Sequence, residues 1–237
     1  MADKIKVWCF LLFLLRLASN LQNCAHAAPQ VPCFFIFGDS LADSGNNNNL
    51  VTAAKANYRP YGIDFPNGTT GRFTNGRTVV DIIGELLGFN QFIPPFATAR
   101  GRDILVGVNY ASGASGIRDE SGRQLGDRIS LNEQLQNHAA TLSRLTQLLG
   151  TKQAAENYLN KCLYYVSLGR FRVTNVGCCP ARSDGQCIQD PCQNRTEYAF
   201  WDAIHPTEAL NQFTARRSYN AILPSDAYPT DISHLIS

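Results

Sequence analysis

Three things are scarce in this chain of 237 residues. The first is an excess of charge: Lys and Arg number 21 against 19 Asp and Glu. Setting aside the first 27 residues removes Lys4, Lys6, Arg16 and Asp3, which leaves 18 of each sign and a net charge near zero. A nucleic-acid partner calls for a basic patch, and anionic membrane surfaces call for the same, so the charge balance argues against both. The second scarcity is long apolar runs. Residues 7–17 form such a run, broken by Arg16, and it is too short to span a bilayer. Nothing later is long enough either, so no integral membrane segment is expected. The third is repetition: there is no internal repeat and no low-complexity stretch, and no Cys-x-x-Cys pair occurs.

What is present begins with an export signal. Lys4 and Lys6 precede the apolar run, and Ala25-His26-Ala27 is a small-x-small cleavage site. Residues 1–27 therefore read as a signal peptide, and 28–237 as one domain of a secreted, extracellular protein. Cys33, Cys162, Cys178, Cys179, Cys187 and Cys192 remain after cleavage. An even count in a secreted chain suggests disulfides. A zinc knuckle is the alternative, weakened by the adjacent cysteines and the missing Cys-x-x-Cys. Connectivity stays open. Asn67-Gly68-Thr69 and Asn194-Arg195-Thr196 are glycosylation sequons.

Along the chain, Phe34-Phe35-Ile36-Phe37 reads as a buried parallel strand that Gly38-Asp39-Ser40 ends with a tight turn. Residues 46–49 and 57–78 read as loop. Thr78-Val79-Val80-Asp81 looks like a capping box, followed by a helix with Val80, Ile83 and Leu87 on one face and Gly88 as its stop. Residues 104–111 read as a second strand, leading to the small residues of 112–116. Ser130 and Glu133 form a second capping box. A helix follows with Leu131, Leu135, Leu142, Leu145 and Leu149 at helical spacing, ended by Gly150. His138 falls on that face and reads as a packed side chain. Residues 151–160 read as a short helix and 162–169 as a third buried strand. Alternating strands and helices mean α/β with a parallel sheet.

That rhythm then breaks. Residues 170–176 are strand-like, but parallel neighbours need a crossover of about a dozen or more residues, and none is present. Either this segment turns back antiparallel or something is missing between Gly169 and Arg170. Further on, Pro206 suits the first turn of a helix that Ala209, Leu210 and Phe213 continue.

A serine at the carboxyl end of a parallel strand lies where open α/β sheets bind ligands, and backbone N–H groups there can stabilise an oxyanion. A serine needs a base, and Asp202 and His205 stand three apart in one loop, so one carboxylate can hold the imidazole. His138 and His234 are read as lacking a carboxylate in comparable context.

With Gly38-Asp39-Ser40-Leu41 near the mature start and Asp202-x-x-His205-Pro206 near the end, the chain resembles the GDSL esterase/lipase family of secreted plant proteins, within the SGNH hydrolases. The blocks Gly71-Arg72-Phe73-Thr74-Asn75-Gly76-Arg77 and Gly107-Val108-Asn109-Tyr110-Ala111-Ser112-Gly113-Ala114-Ser115-Gly116-Ile117 extend the likeness. The resemblance implies a flavodoxin-like three-layer α/β/α sandwich and a hydrolase of acyl esters, lipids included, needing no cofactor. It implies Ser40 as nucleophile, Asp202 and His205 as its partners, and oxyanion donation from the Ser40 and Gly113 amides. A monomer is expected.

One departure counts against activity. The family's third block, Gly-x-Asn-Asp, supplies an oxyanion donor. Here Arg170-Phe171-Arg172 follows Gly169 instead. The resemblance thus points to an internal deletion that takes out central strands. The alternative function is a catalytically impaired or inactive isoform acting as a binding protein.

Overall fold

The computed structural model describes residues 28–167, 177–180, 187 and 190–237. Residues 1–27, expected to be a signal peptide, and the 168–176 segment with its Gly169–Arg170 junction lie outside the described residues.

Strand β1 (Phe34–Gly38) is the centre of the molecule, and all five of its residues are buried. It pairs in parallel with β2 (Leu163–Ser167), in the register Phe34 with Leu163 through Gly38 with Ser167. On its other flank, extended chain at 107–112 runs beside it. Ile36 donates to the Val108 carbonyl (3.1 Å), Tyr110 to that of Ile36 (2.7 Å) and Ser112 to that of Gly38 (3.1 Å). Alternation sends successive side chains of β1 to opposite faces. Phe34 and Ile36 join Val80, Ile83 and Ala215, from helices α1 (Val79–Leu86) and α4 (Glu208–Tyr219), and Leu87, which caps α1. Phe35 and Phe37 join Val108, Tyr110 and Leu145, on the side of α2 (Leu131–Leu149) and α3 (Lys152–Leu159). Helices cover both faces of a short parallel sheet, so the fold is α/β, with the layers of a truncated α/β/α sandwich.

Both capping boxes form. Thr78 accepts from the Asp81 N–H at the start of α1, and Ser130 accepts from the Glu133 N–H at the start of α2. Gly150, at φ 88°, ends α2 as expected.

Four expectations need correction. The strand expected at 104–111 is a 3-10 helix over Gly101–Val106, with extended chain only after Gly107. Gly107 is the hinge. Its φ is 108°, and a side chain there would overlap the Phe34 carbonyl, so only a glycine lets the chain close on β1 at this point. β2 is not a buried strand: Tyr164 is 45% and Val166 62% exposed. Leu135 is exposed rather than in the core. The inward stripe of α2 instead uses buried Gln134 and Thr141 along with Leu145. Pro206 stands just before the cap of α4, because the Thr207 hydroxyl takes the Leu210 N–H and the helix begins at Glu208. His138 is packed as expected, its ring 5.0 Å from that of Phe35 and 5.4 Å from that of Tyr110, and burial lowers its pKa.

The six cysteines among the described residues are all bonded: Cys33 to Cys162, Cys178 to Cys192, and Cys179 to Cys187. The first bridge joins the starts of the two paired strands, 129 residues apart in sequence. Closing so long a loop in the unfolded chain is worth about 5 kcal/mol by chain entropy. The other two knit the cysteine-rich segment to itself, which removes the zinc-knuckle alternative. Among the described residues no helix is long and apolar enough to cross a membrane.

Candidate active site

The turn after β1 is built by its own backbone. Ala42 and Asp43 N–H groups return to the Asp39 carbonyl (3.2 and 3.0 Å), and the Asp39 carboxylate takes the Leu41 N–H (3.0 Å). This places Ser40 half-buried at the strand's carboxyl end. The opposite wall comes from the loop before α4. Oδ1 of Asp202 accepts the N–H groups of Ile204 and His205, each at 2.7 Å, so the loop closes around its own carboxylate.

The two walls meet. Nε2 of His205 lies 2.9 Å from Oγ of Ser40, and Nδ1 lies 2.8 Å from Oδ2 of Asp202. With a carboxylate against Nδ1, that nitrogen carries the proton and Nε2 is left to accept from the serine. The Phe73 ring is 5.0 Å from the imidazole. Burial opposes ionisation of Asp202. Its contacts with His205, then with the Tyr61 hydroxyl, outweigh burial and hold its pKa below the usual carboxylate value.

Asp231 and His234 repeat the spacing of Asp202 and His205. Contrary to expectation, His234 does have a carboxylate partner, with Nδ1 2.6 Å from Oδ1 of Asp231. That aspartate caps the short helix α5 (Ile232–Leu235), and the histidine is exposed. What distinguishes His205 is the serine hydroxyl on its far nitrogen.

Gly113 differs from expectation. Its N–H donates to Oδ2 of Asp43 at 2.8 Å and is already engaged. Asp43 is buried and also accepts from Gly45 (2.7 Å) and Asn46 (2.8 Å). Burial pushes its pKa up to about 6, against those three backbone donors and the charge of Arg72.

Residues 46–49 were expected as a polar loop, yet Asn46 is 3% and Asn47 2% exposed. Asn46 donates to the carbonyls of Asn109 and Ala111, and Asn47 to those of Ala54 and Gly113. The chain here satisfies buried backbone with side-chain amides, which composition reads as loop. Gln134 was also missed. Its amide pairs with both peptide groups of Gly38, N–H to Oε1 at 3.0 Å and Nε2 to O at 2.9 Å. The available signal was its place one turn from Leu131 on the inward stripe of α2, where a polar side chain needs a buried partner.

The family model described as GDSL-like lipase/acylhydrolase matches residues 34–170. The chain belongs to the GDSL lipase/acylhydrolase family. Among curated relatives, GDSL esterase/lipase At1g29670 of Arabidopsis thaliana is 38% identical over 362 positions, covering 99% of each chain. GDSL esterase/lipase At5g45670, from the same plant, is 36% identical over 355 positions, covering 96% of this chain and 98% of the relative. An alignment of 362 positions against 237 residues leaves at least 125 positions of the first relative with nothing opposite them. Because both ends are covered, the shortfall is internal. GDSL esterase/lipase At1g33811 matches more closely, 53% over 141 positions, but spans only 59% of this chain and 38% of itself. The family match stops one residue past Gly169.

Proposed function

We propose that this GDSL protein is a secreted serine ester hydrolase acting on acyl esters, lipids included. Ser40 is the nucleophile, His205 the base and Asp202 the group that orients it. The observation that carries this reading is the 2.9 Å contact between Ser40 Oγ and His205 Nε2, with Asp202 2.8 Å behind the ring.

The chemistry follows from those contacts. Ser40 Oγ bonds to the ester carbonyl carbon as its proton passes to Nε2 of His205. The resulting imidazolium lies against the buried Asp202 carboxylate. The tetrahedral oxyanion collapses, and His205 returns the proton to the departing alcohol. Water, deprotonated by His205 in turn, then releases the acid and frees Ser40. The Ser40 amide, which makes no hydrogen bond among the described residues, is the first oxyanion donor. Gly113 belongs to the same hole by our reading only if its N–H is shared with Asp43. Glycosylation is proposed at Asn67 and Asn194, both exposed, and the folded unit is taken as 28–237, monomeric.

A second reading has its own support. At least 125 internal positions of a full-length relative are missing. We place the gap at Gly169–Arg170, where the third-block Asn would stand. Losing one oxyanion donor costs about 10²–10³ in turnover. A chain silenced this way would act only by binding. Labelling with a fluorophosphonate probe separates the two readings. Wild type should label and Ser40→Ala should not. Equal labelling of both, or none of either, would leave the binding-protein reading in place.

A further inference from the structure

We propose that Tyr61 is a positioning residue for the Asp202 carboxylate, an inference that rests on the Ser40–His205–Asp202 reading above. Tyr61 lies in the 57–78 stretch, which the sequence presents as plain loop, yet it is 1% exposed. Its ring packs edge-on against Tyr58 (5.3 Å), Phe73 (6.2 Å) and Trp201 (6.4 Å). Its hydroxyl donates to Oδ2 of Asp202 at 2.7 Å, the same oxygen that Nδ1 of His205 approaches at 2.8 Å.

The source of each donor decides the role. Ile204 and His205, the other donors to this carboxylate among the described residues, belong to its own loop. The N–H groups of Cys178 and Cys179 hold the loop's backbone at the Phe200 and Trp201 carbonyls, which leaves the carboxylate itself gripped from within its own loop. Tyr61 comes from 141 residues earlier in the chain and ties the carboxylate to the rest of the domain. The tyrosine is itself held. Its oxygen accepts the Cys187 N–H at 3.4 Å, and Cys187 is bonded to Cys179, whose N–H reaches the Trp201 carbonyl beside Asp202. Burial, then the Asp202 charge, push the phenol's pKa far above its usual value, so it stays protonated and serves as a donor.

Tyr61→Phe removes the hydroxyl and keeps the ring. Hydrogen bonds to charged groups are worth enough that fluorophosphonate labelling and kcat should each fall about tenfold or more, with KM unchanged. In an Asp202→Asn background, Tyr61→Phe should cost nothing further, because its route to the imidazole is already cut. A purely structural role would instead add its full loss in both backgrounds. The Nδ1 proton of His205, followed by NMR in protein not exposed to the probe, should shift in Tyr61→Phe. An unmoved proton, or an unchanged labelling rate, would overturn the proposal. The two readings fail separately. Labelling that does not depend on Ser40 sinks the triad. Ser40-dependent labelling indifferent to Tyr61→Phe sinks only this inference. If wild type does not label at all, the triad reading falls and the Nδ1 proton alone decides on Tyr61.

Discussion

The two flanks of β1 are built differently. On one, the chain at 107–112 is bonded to the strand, and the residues behind it are sealed: Val108, Tyr110 and Ser112 are all fully buried. On the other, β2 pairs in full register but leaves Tyr164 and Val166 open to solvent. A parallel sheet normally has both faces and its neighbours covered, and its strands are apolar for that reason. β2 still has that composition, without the cover among the described residues. The internal shortfall of at least 125 positions against a full-length relative is consistent with that mismatch. The Ser40 turn is held from both flanks: Asp39 donates to the Ser167 carbonyl of β2 (3.3 Å), and Asp43 accepts the Gly113 N–H (2.8 Å).

If this contrast is real, equal insults should have unequal effects. Ile36→Ala, on the sealed strand, removes a side chain that is 1% exposed. The cost should be about 2–5 kcal/mol, read as a lower urea midpoint. Val166→Ala, on the open flank, should stay within about 0.5 kcal/mol in the same experiment. Comparable losses at the two positions would mean that β2 is covered after all.

The legible parts of the molecule were those where chemistry is local. The apolar run of β1, the two capping boxes and Gly150 each act through residues within a turn of one another, and they stand where the sequence puts them. Asp202 and His205 were legible for the same reason: three positions apart, they meet by loop closure alone. The Asp231–His234 pair shows the limit of that reasoning. It has the same spacing and the same kind of hydrogen bond, and what separates the two is burial of His205 and the presence of Ser40, 165 residues before it. Gln134, Asn46 and Tyr61 were illegible because their partners, the Gly38 peptide, the Asn109 and Ala111 carbonyls and the Asp202 carboxylate, are all remote in sequence. The exposure of β2 was hidden by its composition, which still describes a strand with neighbours. The missing crossover after Gly169 gave the one hint of it.

The proposed reading is a Ser40–His205–Asp202 triad that assembles without the missing segment and turns over slowly without the third-block Asn. Its most direct test is turnover of a short-chain nitrophenyl ester by wild type, by Ser40→Ala and by full-length At1g29670 in parallel. The expected result is Ser40-dependent hydrolysis about 10²–10³ slower than the relative's. A rate equal to the relative's, or a wild type no faster than Ser40→Ala, would contradict it.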